Sequence, residues 1–173
     1  MAAQRYLALA DRALIRLAGE DARRFLQDII SNDIEKVGPA TAIHAALLTP
    51  QGKYLHDFFV FEHAHAIHLD CEAARRDDLV RRLKRYRLRA KIDIETADAL
   101  APFALLGAGV REMAGPFAGG LVYADPRLAD PRRDPAAAPK TSGMRLSPAA
   151  THGRRQGSQV VVPAMYCAMV SAP

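Results

Sequence analysis

Short apolar runs bounded by turn residues recur through the first 125 positions, and this pattern predicts a fold rich in strands. Residues 6–17 predict two short strands with a break near Asp11 and Arg12. The segment GEDARRFLQDIISND follows, and its apolar residues recur at i, i+3, i+4, i+7 and i+8. This spacing places one apolar stripe along a helix, so the segment predicts the first of two helices.

A second helix is predicted at 74–87, where acidic residues occupy the first turn and basic residues the last, the arrangement that the helix dipole favours. Strands are predicted on either side of this helix by apolar runs and turn residues. They lie at 42–48, 53–61, 66–71, 92–95, 103–110 and 119–124. This order of elements predicts an α+β fold with a mostly antiparallel sheet and two packed helices.

The net charge of +5 comes from one end of the chain. Residues 1–125 contain seventeen Lys or Arg and seventeen Asp or Glu, whereas the remainder contains seven basic and two acidic residues. Seven of the eleven prolines also lie after position 125, and Pro163 interrupts QVVVPAMYCAMV, the one strand-like run there. We therefore predict a domain at 1–125, then a Pro/Arg-rich tail at 126–173 that is partly disordered or a lone strand.

The composition argues against several classes of partner. No apolar run approaches the roughly 20 residues that span a bilayer, and no secretory leader is evident. The charge of the tail alone is a weak argument for nucleic acid, so neither a membrane nor a nucleic-acid partner is expected. Two cysteines without a CxxC pair, and histidines such as His63 and His65 at a predicted hairpin tip, predict no metal site. These features predict a cytoplasmic protein.

Two stretches carry the candidate chemistry. LLTPQGKYLHDFFVF sets one carboxylate, Asp57, among large apolar residues, where an ionised group is costly unless it is paired. Asp57 is either a ligand contact or an edge-strand carboxylate paired with a nearby arginine. YRLRAKIDIE places Tyr86, Arg87, Arg89 and Lys91 where the second helix becomes a strand. These side chains are either a ligand contact or part of a solvated basic face.

FLQDIISND, LLTPQGKYLHDFFVF and RLKRYRLRAKIDIE, in this order, resemble the YgfZ-type folate-binding proteins. These proteins are relatives of the T-protein (aminomethyltransferase) of the glycine cleavage system, and a mitochondrial member acts in iron–sulfur cluster assembly. The resemblance covers 6–124. It implies tetrahydrofolate as cofactor and a role in the assembly or repair of iron–sulfur proteins, including enzymes that thiomethylate tRNA. Iron–sulfur assembly proteins are then the expected partners.

The resemblance also implies roles for residues. Asp57 matches the T-protein carboxylate that contacts the reactive part of the folate. Because folate ends in a glutamate tail, Arg87, Arg89 and Lys91 are candidates for binding its carboxylates, and Tyr86 is included as a cofactor-binding residue beside them. No catalytic residue is predicted, since an accessory role is favoured over an enzymatic one. The alternatives are an aminomethyltransferase-like one-carbon transferase and a folded remnant without ligand.

One departure from the resemblance is informative. The K-G-C-Y-x-G-Q-E motif of the YgfZ-type family is missing, because Cys167 lies in AMYCAMV without those neighbours. This predicts a truncated or frame-altered product that exposes apolar surface. We therefore expect a homodimer rather than a stable monomer with an open cleft, and exchange of QVVVPAMYC between protomers is one way to form it.

Overall fold

The computed structural model of the protein describes residues 5–39, 41–106, 121–127 and 165–171. Within them the chain forms nine strands and two α-helices. The strands are β1 (Arg5–Ala8), β2 (Arg12–Ala18), β3 (Ile43–Leu48), β4 (Tyr54–His63), β5 (Ala66–Glu72), β6 (Asp93–Thr96), β7 (Leu100–Leu106), β8 (Leu121–Ala124) and β9 (Met165–Ser171). The helices are α1 (Ala22–Ile29) and α2 (Arg76–Tyr86), and 3-10 turns occur at Ile34–Lys36 and Ala73–Arg75.

The strands form two sheets. A five-stranded sheet has the order β3-β4-β5-β2-β6, and a four-stranded sheet has the order β1-β7-β9-β8. Every pairing between these described strands is antiparallel. The prediction of an α+β fold with a mostly antiparallel sheet and two helices is confirmed.

Both helices cover one side of the five-stranded sheet, which we call the helix face. The apolar stripe of α1 buries Phe25 and Leu26, and α2 buries Leu79 and Leu83. These side chains join one cluster with apolar residues of the sheet, among them Phe58. Burial of such side chains is the main favourable term in folding.

The opposite side of the same sheet, which we call the far face, packs against the four-stranded sheet. Phe59 and Phe61 of β4 point to this side because successive residues of a strand alternate between faces. They form a second cluster with Leu14 and with Tyr123 of β8, whose side chain is almost fully buried. Asp57, two positions before Phe59 on β4, therefore also lies on the far face, the side that packs against the four-stranded sheet.

Gly19 marks the close approach of two segments. Its φ of +122° lies in a region that side chains disfavour, and a Cβ there would stand 2.2 Å from the carbonyl oxygen of Lys91. A glycine is thus required where β2 leads towards α1 and the segment before β6 passes over it.

The strand at the end of the chain is paired. β9 lies between β7 and β8. Its Cys167 pairs with Ala104 of β7 on one side and with Tyr123 of β8 on the other. The strand predicted after position 125 thus joins a sheet with strands of the first 125 residues of the same chain, and is not a lone strand. The predicted loose order of the tail falls at 128–164, outside the described residues.

Candidate functional site

Asp57 lies on the far face of β4 and is held by two neighbours. The Tyr54 hydroxyl donates a hydrogen bond of 2.6 Å to Oδ1 of Asp57, and Nε2 of His44 lies 3.0 Å from Oδ2. The Asp57 side chain retains 44% of its exposure. We call these three residues the Asp57 cluster. The carboxylate is paired with a tyrosine and a histidine, in contrast to the arginine partner considered from the sequence.

A strand irregularity brings Tyr54 and Asp57 together. Residues three apart in a regular strand point to opposite faces. In β4 the register shifts, so that Leu47 pairs with His56 and Leu48 pairs with Tyr54. This extra residue turns Tyr54 towards Asp57, as bulges commonly re-aim side chains.

The Asp57 cluster favours an ionised carboxylate. The hydrogen bond from Tyr54 is the largest influence that lowers the pKa of Asp57, and His44 lowers it further, while burial opposes them. The same hydrogen bond raises the pKa of Tyr54, so the phenol stays protonated and donates. Asp57 can therefore accept hydrogen bonds from a ligand N–H at neutral pH.

Arg75 fixes the tyrosine. Its Nη1 donates to the Tyr54 hydroxyl oxygen at 3.2 Å, its Nη2 donates to the carbonyl oxygen of Leu55, and its guanidinium lies 5.6 Å from the centre of the Tyr54 ring. Because Arg75 belongs to the turn before α2, the helix and the strand jointly set the direction of the hydroxyl.

Phe59, the next far-face residue after Asp57, is a buried aromatic ring that two cations contact. The guanidinium of Arg12 lies 5.4 Å from the centre of its ring and that of Arg127 lies 4.5 Å away. The rings of His44 and Tyr123 contact it at centroid distances of 5.4 and 6.3 Å. Such cation–π contacts keep positive charge next to the Asp57 cluster.

A buried ion pair lies deeper on the same face. Arg12 Nε donates to Asp70 Oδ1 at 2.8 Å and its Nη2 donates to the Asp70 carbonyl oxygen at 2.7 Å. Oδ2 of Asp70 has no hydrogen-bond partner among the described residues. Burial raises the pKa of Asp70 to about 6, because the loss of hydration outweighs the attraction of Arg12. This pair was not predicted from the sequence, although a carboxylate within the apolar strand AIHLDCE is a signal for it.

The four predicted residues at the helix–strand junction lie on the other side of the sheet. Arg87 donates to the carbonyl oxygen of Ile92 at 3.3 Å, Lys91 pairs with Glu20 at 2.5 Å, and Tyr86 and Arg89 are exposed. Ile92 packs on the helix face. The structure therefore keeps Tyr86, Arg87, Arg89 and Lys91 together but does not bring them to Asp57.

The described ranges hold no group of three His, Cys, Asp or Glu side chains that is arranged to bind a metal. Cys71 is buried, and burial raises its pKa to about 11, so it is a protonated and unreactive thiol. The helices of this part of the chain are too short or too polar to cross a bilayer. The Asp57 cluster presents a half-exposed carboxylate that can accept hydrogen bonds from N–H donors.

Comparisons with known proteins identify relatives. The chain is 33% identical over 97 residues to an iron–sulfur cluster assembly factor IBA57 homolog from Pyricularia oryzae, covering 54% of this chain and 25% of that protein. It is 30% identical over 142 residues to the human assembly factor IBA57, covering 70% of this chain and 39% of the relative. An aminomethyltransferase from Alcanivorax borkumensis is 23% identical over 100 residues, covering 58% of this chain and 28% of that enzyme. No protein-family model matches the chain.

The solved structures show the same fold. The aminomethyltransferase T of the glycine cleavage system from Bartonella henselae superposes on 97% of this chain with a TM-score of 0.64 and 11% sequence identity, and the match spans 42% of that enzyme. The chain is thus a homologue of iron–sulfur cluster assembly factors with a T-protein-like fold. It spans between a quarter and two fifths of the lengths of the assembly factors from Pyricularia oryzae and human.

The comparisons overturn one expectation. The sequence predicts a cytoplasmic protein, but the assembly factors from Pyricularia oryzae and human are both named as mitochondrial proteins. The cytoplasmic prediction is therefore wrong. It rested on the absence of a secretory signal and on few cysteines, and neither feature distinguishes one reducing compartment from another.

Proposed function

We propose that this chain is a tetrahydrofolate-binding accessory protein of iron–sulfur cluster assembly or repair. The observation that carries the proposal is the sequence similarity to IBA57-type assembly factors. A T-protein-like fold supports it, because the relative in that comparison is a glycine cleavage aminomethyltransferase. In its more specific form, the proposal is that the chain is of the YgfZ type and that its client proteins include tRNA-thiomethylating enzymes.

The far face supplies the proposed folate contact. Each oxygen of the Asp57 carboxylate has one partner within the protein, so lone pairs remain for a ligand. A reduced pterin carries ring N–H groups and an amino group that can donate to them. The Tyr54 ring beside Asp57 is 55% exposed and offers an apolar surface for the same ligand.

The junction residues supply the proposed contact for the glutamate tail. Arg87 and Lys91 already have protein partners, whereas Arg89 has no hydrogen bond or ion pair within the described residues. A guanidinium binds a carboxylate through two parallel hydrogen bonds. Because this contact lies away from Asp57, it is tested separately by comparing monoglutamyl and polyglutamyl tetrahydrofolate on Arg89→Ala. Loss for the polyglutamyl form alone would assign Arg89 to the later glutamates and equal loss to the first glutamate, whereas no loss for either form would remove Arg89 from the tail contact.

An aminomethyltransferase-like activity is the second candidate, supported by the similarity to the Alcanivorax borkumensis enzyme. Glycine cleavage measured with a lipoyl carrier protein distinguishes the two candidates. We expect no turnover above background, since an accessory protein binds folate without passing a one-carbon unit between substrates.

Complementation tests the accessory role. We expect the chain to raise the activity of cluster-dependent enzymes in cells that lack their own assembly factor of this type, and Asp57→Asn to raise it less. Equal activity with and without the chain would contradict the proposal. The proposed homodimer is tested by sedimentation, in which a single species of 18.9 kDa would exclude it.

A further inference from the structure

A recess on the helix-face side of the molecule is not used by the proposed folate contact at Asp57. It lies where the end of α1, the turn between β3 and β4 and the end of α2 meet, and its volume is about 320 Å³. Its apolar lining is formed by Ile29, Ile30, Leu47, Leu48, Pro50 and Tyr86. We call this recess the Tyr86 groove.

Large apolar side chains remain exposed at the groove and just beyond it. Leu48 and Tyr86 each keep 37% of their surface accessible, and Leu88 keeps 86%. Leu88 also has a φ of +47°, a left-handed conformation that is costly for a leucine. Leu88 buries little surface and has a costly backbone conformation, so it does not stabilise the fold. A contact with another molecule explains its position better.

The end of α2 adds a strong positive charge. Residues 81–91 contain seven Lys or Arg and no Asp or Glu. Arg81 and Arg82 pair with Asp78, and Lys91 pairs with Glu20. Within the described ranges, Lys84, Arg85 and Arg89 have no ion pair, so three cations in the last turn of α2 and just after it are available to a partner.

We propose that the Tyr86 groove docks an acidic segment of a partner protein, whose apolar side chains enter the recess and whose carboxylates contact Lys84, Arg85 and Arg89. Buried apolar anchors supply most of the affinity of such contacts, and charges at the rim supply specificity and speed of association. Asp28 is the one carboxylate among the groove-lining residues of the described part, and it would disfavour an acidic group at its own end of the recess. The acidic side chains of the segment would therefore lie towards α2.

Two other occupants fit less well. The segment after position 125 has seven basic and two acidic residues, so it is repelled by the end of α2. An anionic bilayer would meet Leu88 and the cations, but its surface cannot enter a recess that is lined by Leu48 and Tyr86. Charge and shape together favour a protein segment.

Peptide selection on the full chain tests this inference. Short random peptides are selected on the wild-type chain and measured by fluorescence anisotropy against Lys84→Glu/Arg85→Glu, against Leu48→Asp and against the charge-conserving control Lys84→Arg/Arg85→Lys. We expect enriched peptides that combine Asp or Glu with Leu, Ile or Phe. Both disruptive variants should bind them at least about tenfold more weakly, a change of 1.4 kcal/mol, and the control should bind them as wild type does.

Several outcomes overturn the inference. One is that no acidic–apolar peptides are enriched, and another is that the enriched peptides bind all variants equally. A third is that polyglutamate, an RNA oligonucleotide or phosphatidylserine vesicles bind wild type and the variants with the same pattern as the peptides. Tetrahydrofolate affinity separates this inference from the proposed function. It should be unchanged in Leu48→Asp, which keeps every cation near the proposed tail contact at Arg89, and its loss there would assign the groove to folate. If wild type binds the peptides but not folate, the result contradicts the proposed function and supports the docking of an acidic segment at the Tyr86 groove.

Discussion

The Tyr54 hydroxyl donates a 2.6 Å hydrogen bond to the carboxylate of Asp57, although the two residues are three apart on one strand. The register shift opposite Leu47 and Leu48 makes this contact geometrically possible. Bulges are over-represented at sheet edges and next to active sites, where they re-aim side chains, and this one lies against the edge strand β3. The charge state of Asp57 therefore depends on a local irregularity of the backbone.

Tyr54→Phe should raise the pKa of Asp57, because it removes the largest influence that lowers that pKa. A carboxylate with a lowered pKa contributes stability above its unfolded-state pKa and loses it as the pH falls through the folded-state value. The variant should therefore lose less stability on acidification than wild type. Carbon-13 NMR titration of the Asp57 carboxylate measures the shift directly. Tyr86→Phe is the control, and an Asp57 pKa that is the same in all three proteins would contradict this reading.

Asp70→Asn should change how stability depends on pH. The pKa of Asp70 rises from 3.8 to about 6 on folding, so the folded state binds more protons in that interval and the wild-type protein loses stability as the pH rises through it. The loss should amount to about 3 kcal/mol, since each pKa unit is worth 1.36 kcal/mol. The asparagine variant should show a flatter profile in denaturant unfolding, and the exposed Asp93→Asn should retain the wild-type slope. A wild-type slope in Asp70→Asn would show that another group titrates there.

Gly19→Ala and Gly52→Ala form a matched pair. Both glycines have positive φ, but a Cβ at Gly19 meets the Lys91 carbonyl oxygen at 2.2 Å, while one at Gly52 meets nothing within 4 Å. Gly52→Ala should cost about 1–2 kcal/mol, the penalty for a left-handed alanine. Gly19→Ala should cost more than about 3 kcal/mol, the upper range for backbone strain alone, because the clash adds to it. Similar midpoints of thermal unfolding for the two variants would disprove the close approach.

The order of the elements was predictable because each one is encoded by local periodicity. The stripe of α1 and the charge gradient of α2 are read directly from consecutive residues, and the structure confirms both helices. Asp57 was also identifiable, since a carboxylate stands out in KYLHDFFVF.

Its surroundings were not predictable from the sequence. Arg12 and Asp70 are 58 positions apart and meet only through the pairing of β2 with β5. Tyr54 reaches Asp57 through a bulge that the strict period of two excludes. The placement of Tyr86 and Arg89 away from Asp57 likewise depends on which face of the sheet α2 covers. Faces and registers are set by long-range packing, which a linear pattern does not contain.

Calorimetric titration with tetrahydrofolate tests the central claim most directly, using wild type, Asp57→Asn and Asp77→Asn. Asp77 is a suitable control because its side chain is 88% exposed and lies on α2, on the opposite side of the sheet. We expect wild type and Asp77→Asn to bind alike and Asp57→Asn to lose about 1.5–3 kcal/mol of binding free energy, the value of a hydrogen bond to a charged group. The thermal stability of all three should be similar, because a half-exposed carboxylate contributes little to the fold. Equal affinity in wild type and Asp57→Asn, or no binding to the folded wild-type chain, would contradict the account.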